Sequence, residues 1–378
     1  MASFRWFIGD NYDEEVFGRL LLFLLTAGFF LGFALSVPLW LSHRSYPLVG
    51  FIPAFPSGFD AVYATLTFAM LFCACVVRRW ERLVALFLCL LLVLLLQDQT
   101  RWQPWVTQYA LMLLALILPM GKEKRLGLLR VMLVAMYVWT GLQKMNAGYI
   151  GSVVPWFFSP FAPPSPLLPL LALGSIAVEI GTGFFLAFTK TRRIGVVLAV
   201  LLHLCILMLL GPIGHSWNHV VWPWNGVLIV LAPLLFWHWK GSIHFFPLMK
   251  SHVLAAVFVV LVAVMPALSF VGLWDSYLSF SLYSGNTDQL FLSLPRSEAQ
   301  RVPTTIPWVP LGSGSYVQIG LDQWALRSLG VPSYPEERVY RAIARQLCAS
   351  SREFIFTFSH KQTLLQRRYS QQLGCEAL

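Results

Sequence analysis

The sequence predicts an all-α polytopic membrane bundle of about nine transmembrane helices, followed by a small extracytoplasmic α+β domain. Three observations carry that prediction. Apolar residues make up 57% of the chain and charged residues only 12%, against roughly 45–50% and about 25% in a soluble domain. The apolar residues gather in blocks between residues 16 and 274, with nearly all charges between the blocks or in the tail. The blocks also run apolar without alternation. That excludes an outer-membrane barrel, as the composition excludes a cytosolic enzyme or a disordered chain.

A span needs about 20 residues at 1.5 Å rise each. The candidate spans are 16–41, 60–77, 83–97, 105–119, 126–146, 166–189, 193–210, 221–238 and 251–273. The first far exceeds the apolar region of a cleavable signal, and Asp13, Glu14 and Glu15 precede it, so it reads as a span. The third and fourth are only 15 residues long and fit a shallow hairpin. Pro119 and Pro266 are places where helices could break.

Sidedness follows from lysine and arginine in the short loops. One side carries Arg5, Arg19, Arg78, Arg79, Arg82, Lys122, Lys124, Arg125, Lys190, Arg192, Arg193, Lys240 and Lys250; the other, before the tail, has Arg44 and Arg101. The expected N-terminus is cytoplasmic and the tail extracytoplasmic. Polar or Pro/Trp-rich loops at 97–108, 147–165 and 211–225 then share the outer face, which is where function is expected.

The chain divides into a membrane domain, 1–274, and a tail, 275–378. In the tail, strands are expected at 290–294, 316–321 and 353–358. A helix is expected from Pro335, Glu336 and Glu337 through Cys348. Cys73, Cys75, Cys89 and Cys205 lie in apolar blocks and read as small hydrophobes. Cys348 and Cys375 lie in the tail, where a disulfide could form. The net charge is +10, but no run of five or six basic residues occurs, so nucleic acid is not an expected partner. The lipid bilayer is.

Ionisable groups inside spans are expensive and stand out as functional candidates. Here they are Lys144, Glu179 and His203, with Asp98 and Arg101 at a span edge. Lys144 is either an interface lysine or, desolvated in a pocket, a usable base. Glu179 requires a partner, and Lys144, His203 and Arg101 are the candidates; a structural hydrogen bond between helices is the plainer reading. His203 reads either as a satisfied core histidine or as part of a site. Arg130, one turn inside its span, can snorkel and is given no role. His215 and His219 are four residues apart but lack a third ligand, so no metal is expected.

These residues lie in motifs that resemble the membrane domain shared by vitamin K-dependent γ-glutamyl carboxylase and the horizontally transferred transmembrane (HTTM) family. The carboxylase segment Tyr-Phe-x-x-Gly-x-Lys-Lys-Leu-Asp-Ala-Asp-Trp is matched in register by Tyr137, Gly141, Lys144, Asn146, Ala147 and Tyr149, with Gln143 replacing the first lysine. FFSPF at 157–161 is similar to Leu-Phe-Ser-Pro-Phe, and DQTRW at 98–102 to Asp-Lys-Thr-Ser-Trp. Glu179 with Gly183 meets an acid–x–x–x–Gly pattern. Arg192 or Arg193, Ile194, Gly195 and His203 meet a later Arg-x-Ile-Gly…His run.

The resemblance covers roughly residues 95–235 with motifs in order. It implies an outward-facing cavity for a reduced, vitamin K-like quinone, with Lys144 as its base. It groups Lys144 and His203 as catalytic, with Asp98, Arg101, Trp102, Asn146, Glu179, His215 and Asn218 around the cofactor. Two departures matter. The family's Asn-Asn-His becomes Gln103, Pro104 and Trp105 here, and a tail of about one hundred residues cannot replace the carboxylase's large lumenal region.

Three functions follow as expectations: a quinone-linked membrane enzyme acting on an extracytoplasmic peptide or lipid, a non-catalytic scaffold for another membrane or redox protein, or a lipid or small-molecule transporter. No internal repeat of the kind common in transporters is found. The family motifs and the absence of an N-x-Ser/Thr acceptor in the tail, where Asn286-Thr287-Asp288 does not qualify, point to a bacterial inner membrane.

Overall fold

The computed structural model describes residues 14–301, 306–312 and 314–378; Arg5 and Asp13 lie outside them. Among the described residues nine apolar helices follow one another: α1 Glu14–Leu35, α2 Phe59–Ala74, α3 Trp80–Gln97, α4 Pro104–Ile117, α5 Lys122–Gln143, α6 Leu167–Ala187, α7 Arg192–Leu210, α8 Val221–Phe236 and α9 Val253–Val271. Six are long and apolar enough to cross a membrane: α1, α3, α5, α6, α7 and α9. The helices α2, α4 and α8 have 16, 14 and 16 residues. The expected hairpin of two short spans is thus half corrected. Helix α3 starts earlier than its leucine run, at Trp80, and reaches 18 residues.

Helix α9 is continuous but irregular. Its first part, Val253–Val259, is α-helical, Val260–Val264 forms a π turn, and Met265–Val271 tightens to 3-10 geometry. Pro266 lies where the winding changes, as a residue without an N–H must. The proline-rich stretch 147–165 also winds up, as one π turn and short helices through Phe161.

The most buried helix is α5, which packs along α6 and also meets α4, α8 and α9. Small residues permit the α5–α6 approach. A Cβ at Gly183 would lie 2.6 Å from Val138 Cγ2 and 3.0 Å from the Val134 carbonyl, and one at Gly141 would meet Ile180. At the basic end, Arg130 does not snorkel: it is buried, donates to the Leu235 carbonyl at 2.9 Å, and lies 4.0 Å from the Trp239 ring. Arg192 lies 4.1 Å from the same ring, so the indole sits between two guanidiniums.

The tail forms a five-stranded antiparallel sheet. Its strands are β1 Gln289–Pro295, β2 Val309–Leu311, β3 Tyr316–Gly320, β4 Ile355–His360 and β5 Tyr369–Gly374, in the order β2-β3-β1-β4-β5. Register pairs Leu292 with Ile319 on one side and Phe356 on the other. Helices α10 Leu321–Leu329 and α11 Glu337–Cys348 complete the unit, and Cys348 is bonded to Cys375. The expected strands and α11 are found; β2, β5 and α10 are additional.

The tail is seated on the loops of the helical part. Gln103 Nε2 donates to the Pro332 carbonyl at 3.0 Å, Tyr46 OH to Ser333 Oγ at 2.9 Å, and Asn146 Nδ2 to the Ser284 carbonyl at 2.8 Å. Segments around Tyr46, Gln103 and Asn146 of the helical part are therefore each hydrogen-bonded to the tail.

Candidate functional site

Helices α5, α6, α7 and α8 surround a cavity of about 470 Å³, capped by Phe280, Leu282 and Tyr283 from the segment leading into the sheet. Its walls are almost wholly apolar, and all four helices bring a few polar groups to it. Helix α5 contributes Tyr137 and Thr140, and Lys144 at its C-terminal cap follows at the same three- and four-residue spacing, on one face. Glu179 comes from α6, His203 from α7 and Asn225 from α8.

Lys144 Nζ is ion-paired with Glu179 Oε1, and both side chains are buried. The pair is local in origin. Gly141, one turn before Lys144, brings the α5 backbone against α6 at Glu179 and Ile180, so the two charged side chains meet where the helices are closest. Lys144 Nζ also stands 5.5 Å from the centre of the Tyr149 ring, whose hydroxyl bonds Ser175 Oγ at 2.8 Å. Glu179 Oε2 is buried and has no hydrogen-bond partner within the protein. An orphaned carboxylate oxygen facing a cavity is an acceptor awaiting a donor.

A second polar chain crosses the other wall. Tyr137 OH lies 2.7 Å from His203 Nε2, His203 Nδ1 lies 2.7 Å from Asn225 Oδ1, and Asn225 Nδ2 donates to the Val221 carbonyl at 2.6 Å. Both imidazole nitrogens are thus engaged, which fixes the ring. The histidine serves as a satisfied helix-to-helix link as well as a cavity wall.

Of the residues singled out from sequence, Lys144, Glu179 and His203 come together here. His215 and Asn218 sit at the rim. The His215 imidazole stacks on Trp156 at 4.2 Å and meets the Trp156 carbonyl at 2.7 Å, while Asn218 Nδ2 donates to the Tyr283 hydroxyl at 2.8 Å. They hold aromatic side chains and do not enter the wall themselves. His219 is exposed and bonds the Ser216 carbonyl, so it shares no partner with His215. Asn146 caps the turn after α5, accepting from Tyr149 N–H and donating to the Gln143 and Ser284 carbonyls.

Asp98, Arg101 and Trp102 lie elsewhere. Asp98 accepts from Arg44 and from Thr100, Arg101 donates to the carbonyls of Leu39, Trp40 and Leu94, and Trp102 Nε1 donates to the Leu95 carbonyl. Their polar atoms tie loop to helix and do not line the cavity. Sequence reasoning passed over Asn225, Ser175 and Tyr283, and took Tyr137 only as part of a motif. Its seven-residue spacing from Lys144 was the available signal, since positions i and i+7 share a helix face.

The cavity is not closed on all sides. Leu170 and Leu201 line it and are also 64% and 52% exposed, and Cys205 beside them is exposed too. The opening therefore lies between α6 and α7. Those two helices are in close contact toward the opposite end, where a Cβ at Gly195 would lie 2.7 Å from the Leu186 backbone nitrogen.

Fold and site together define a multi-helical protein suited to a lipid bilayer, with a buried ion pair in an apolar cavity. In comparison with known proteins, no family model, no curated protein and no solved structure matches the chain.

Proposed function

We propose that this is a membrane protein that binds a reduced, vitamin K-like quinone in the α5–α8 cavity and uses Lys144 as the base toward it. The observation that supports this reading is the Lys144–Glu179 pair at the polar end of an apolar cavity, with Glu179 Oε2 left free to accept. A quinol is an apolar ring with hydroxyl donors, and the residues fit it in kind: a hydroxyl toward Glu179 and Lys144, the ring and its chain toward Leu170, Leu201 and Ile206. When bound, such a group supplies an acidic hydroxyl and reactivity toward oxygen. Lys144 would act as base through the lone pair of its amine form, which takes the proton of that hydroxyl. Tyr137, His203 and Asn225 keep the facing wall rigid.

Native mass spectrometry with quinone extraction tests this on the detergent-purified protein. Quinone retained by the wild type and lost by Lys144→Ala supports the proposal. Equal retention by both, or none in either, defeats it.

One observation favours a non-catalytic scaffold as the second reading. Where the resemblance would put a histidine, Trp105 is fully packed, edge-on to Phe29 at 5.7 Å, and neighbouring Gln103 is bonded to the tail. On that reading Lys144 is dispensable and the tail is the essential part.

A further inference from the structure

The β4–β5 hairpin carries a turn that the cavity does not use. Residues 361–368 read KQTLLQRR, two leucines in an otherwise polar loop. The turn is firmly built. Thr363 N–H donates to the Gln366 carbonyl at 2.9 Å, and Thr363 Oγ1 accepts from the N–H groups of Leu365 and Gln366 at 3.2 and 3.0 Å. Asn286 bonds Gln362 in both directions at 2.8 Å. Yet Leu364 and Leu365 are 78% and 81% exposed. One exposed leucine means little. Here a rigid turn holds two at its corner.

Their position supplies the partner. Leu364 N–H donates at 2.7 Å to the carbonyl of Phe270, in the last turn of α9. A Cβ at Gly272 would lie 3.6 Å from Thr363 Cγ2, and the next residue, Leu273, is 72% exposed. The Phe270 ring stands 6.3 Å from Trp139 of α5, the kind of aromatic position found at the edge of a bilayer. The turn is thus hydrogen-bonded to the end of an apolar helix, and a third exposed leucine, Leu273, follows that end directly. Two arginines follow. Both are exposed; Arg368 donates to the Gly285 carbonyl, Gln289 and Ser359. An apolar corner followed by a cation suits acyl chains below and phosphates above.

We propose that the Leu364–Leu365 turn, with Leu273, inserts into the bilayer leaflet around the tail-side end of α9. The sheet is then anchored to lipid by its own hairpin as well as by the helices. This inference rests on α9 crossing the membrane and is independent of any chemistry in the cavity.

Spin labels measure it. Leu364→Cys, Leu365→Cys, Val264→Cys on the exposed side of α9 and Gln372→Cys on β5 are made with Cys73, Cys75, Cys89 and Cys205 replaced by alanine. Each labelled protein is reconstituted in vesicles of phosphatidylcholine with phosphatidylglycerol, and relaxation by oxygen is compared with relaxation by a water-soluble nickel chelate. The expected oxygen-to-nickel ratio at 364 and 365 is several-fold above that at 372 and approaches that at 264. If 264 is oxygen-rich while either leucine position behaves like 372, the turn lies in water or against protein, and the proposal is overturned. If 264 itself is nickel-accessible, α9 is not a span and the anchor falls with it.

Discussion

A lysine and a glutamate buried side by side constrain each other more than they stabilise the protein. Removing one partner of such a pair leaves an uncompensated buried charge, which costs about 3–5 kcal/mol, whereas replacing both by apolar residues of similar size is often neutral. We expect Lys144→Ala to lower stability by about that amount and Lys144→Met combined with Glu179→Leu to recover most of it, read by denaturant unfolding in detergent micelles. The double variant should still fail to retain quinone. Quinone retention by the stable double variant would refute the proposed role of the pair. The same energetic cost explains which site residues could be read from sequence. Lys144, Glu179 and His203 stand out because charge in an apolar block is conspicuous. Asp98 and Arg101 stand out for that reason too, but their cost is met by loop backbone and by Arg44. Expense marks a residue that must be satisfied, and only the structure tells whether a ligand or the chain does it. Neutral polar residues such as Asn225 and Ser175 carry no such flag.

At the scale of elements, glycine spacing sets how closely α5 and α6 pack and hence whether Lys144 reaches Glu179. Gly183→Ala would drive a methyl into Val138 and the Val134 carbonyl; the expected loss is about 1–3 kcal/mol, the usual range for overpacking. Gly174→Ala on the same helix meets no atom within 4 Å and should be neutral or gain up to about 1 kcal/mol from helix propensity. Thermal unfolding of the two variants side by side checks this, and equal melting temperatures would contradict it. The apolar helices were legible from their composition, with ends displaced by a few residues. The missed strands are those without a buried face. Strand β5 (YSQQLG) is an edge strand with nearly every residue exposed, and the three-residue β2 contains Pro310, so neither shows alternation. Helix α10 was missed although Trp324 and Leu321 bury its inner face; its nine residues follow directly on β3, so the change of period is short and easily read as strand.

For the whole molecule, the tail carries buried acids, Glu336 and Asp322, and these make it sensitive to pH. Burial pushes the Glu336 carboxyl up to about 7, with Lys361 opposing and Asp275 adding to the rise; burial likewise pushes Asp322 up to about 6. A carboxyl whose pKa is raised by folding holds a proton that the unfolded chain has lost. Its contribution is therefore present below the ordinary carboxylate range and is lost as pH rises through 6 to 7. Asp275, held below its ordinary value through hydrogen bonds to Arg338 and Tyr334, acts in the opposite sense and only at lower pH. Hydrogen exchange of the tail should show protection falling between about pH 4.5 and 7, and Glu336→Gln should flatten that fall; an unchanged slope would refute it. Strand order has a further consequence, for biosynthesis. The central strand β1 is made first, β3 covers one of its edges soon after, and the other edge waits for β4, some sixty residues later in the chain. A nascent chain halted before Ile355 displays an open apolar strand edge, so the sheet is most prone to aggregate in the interval between the making of β3 and that of β4.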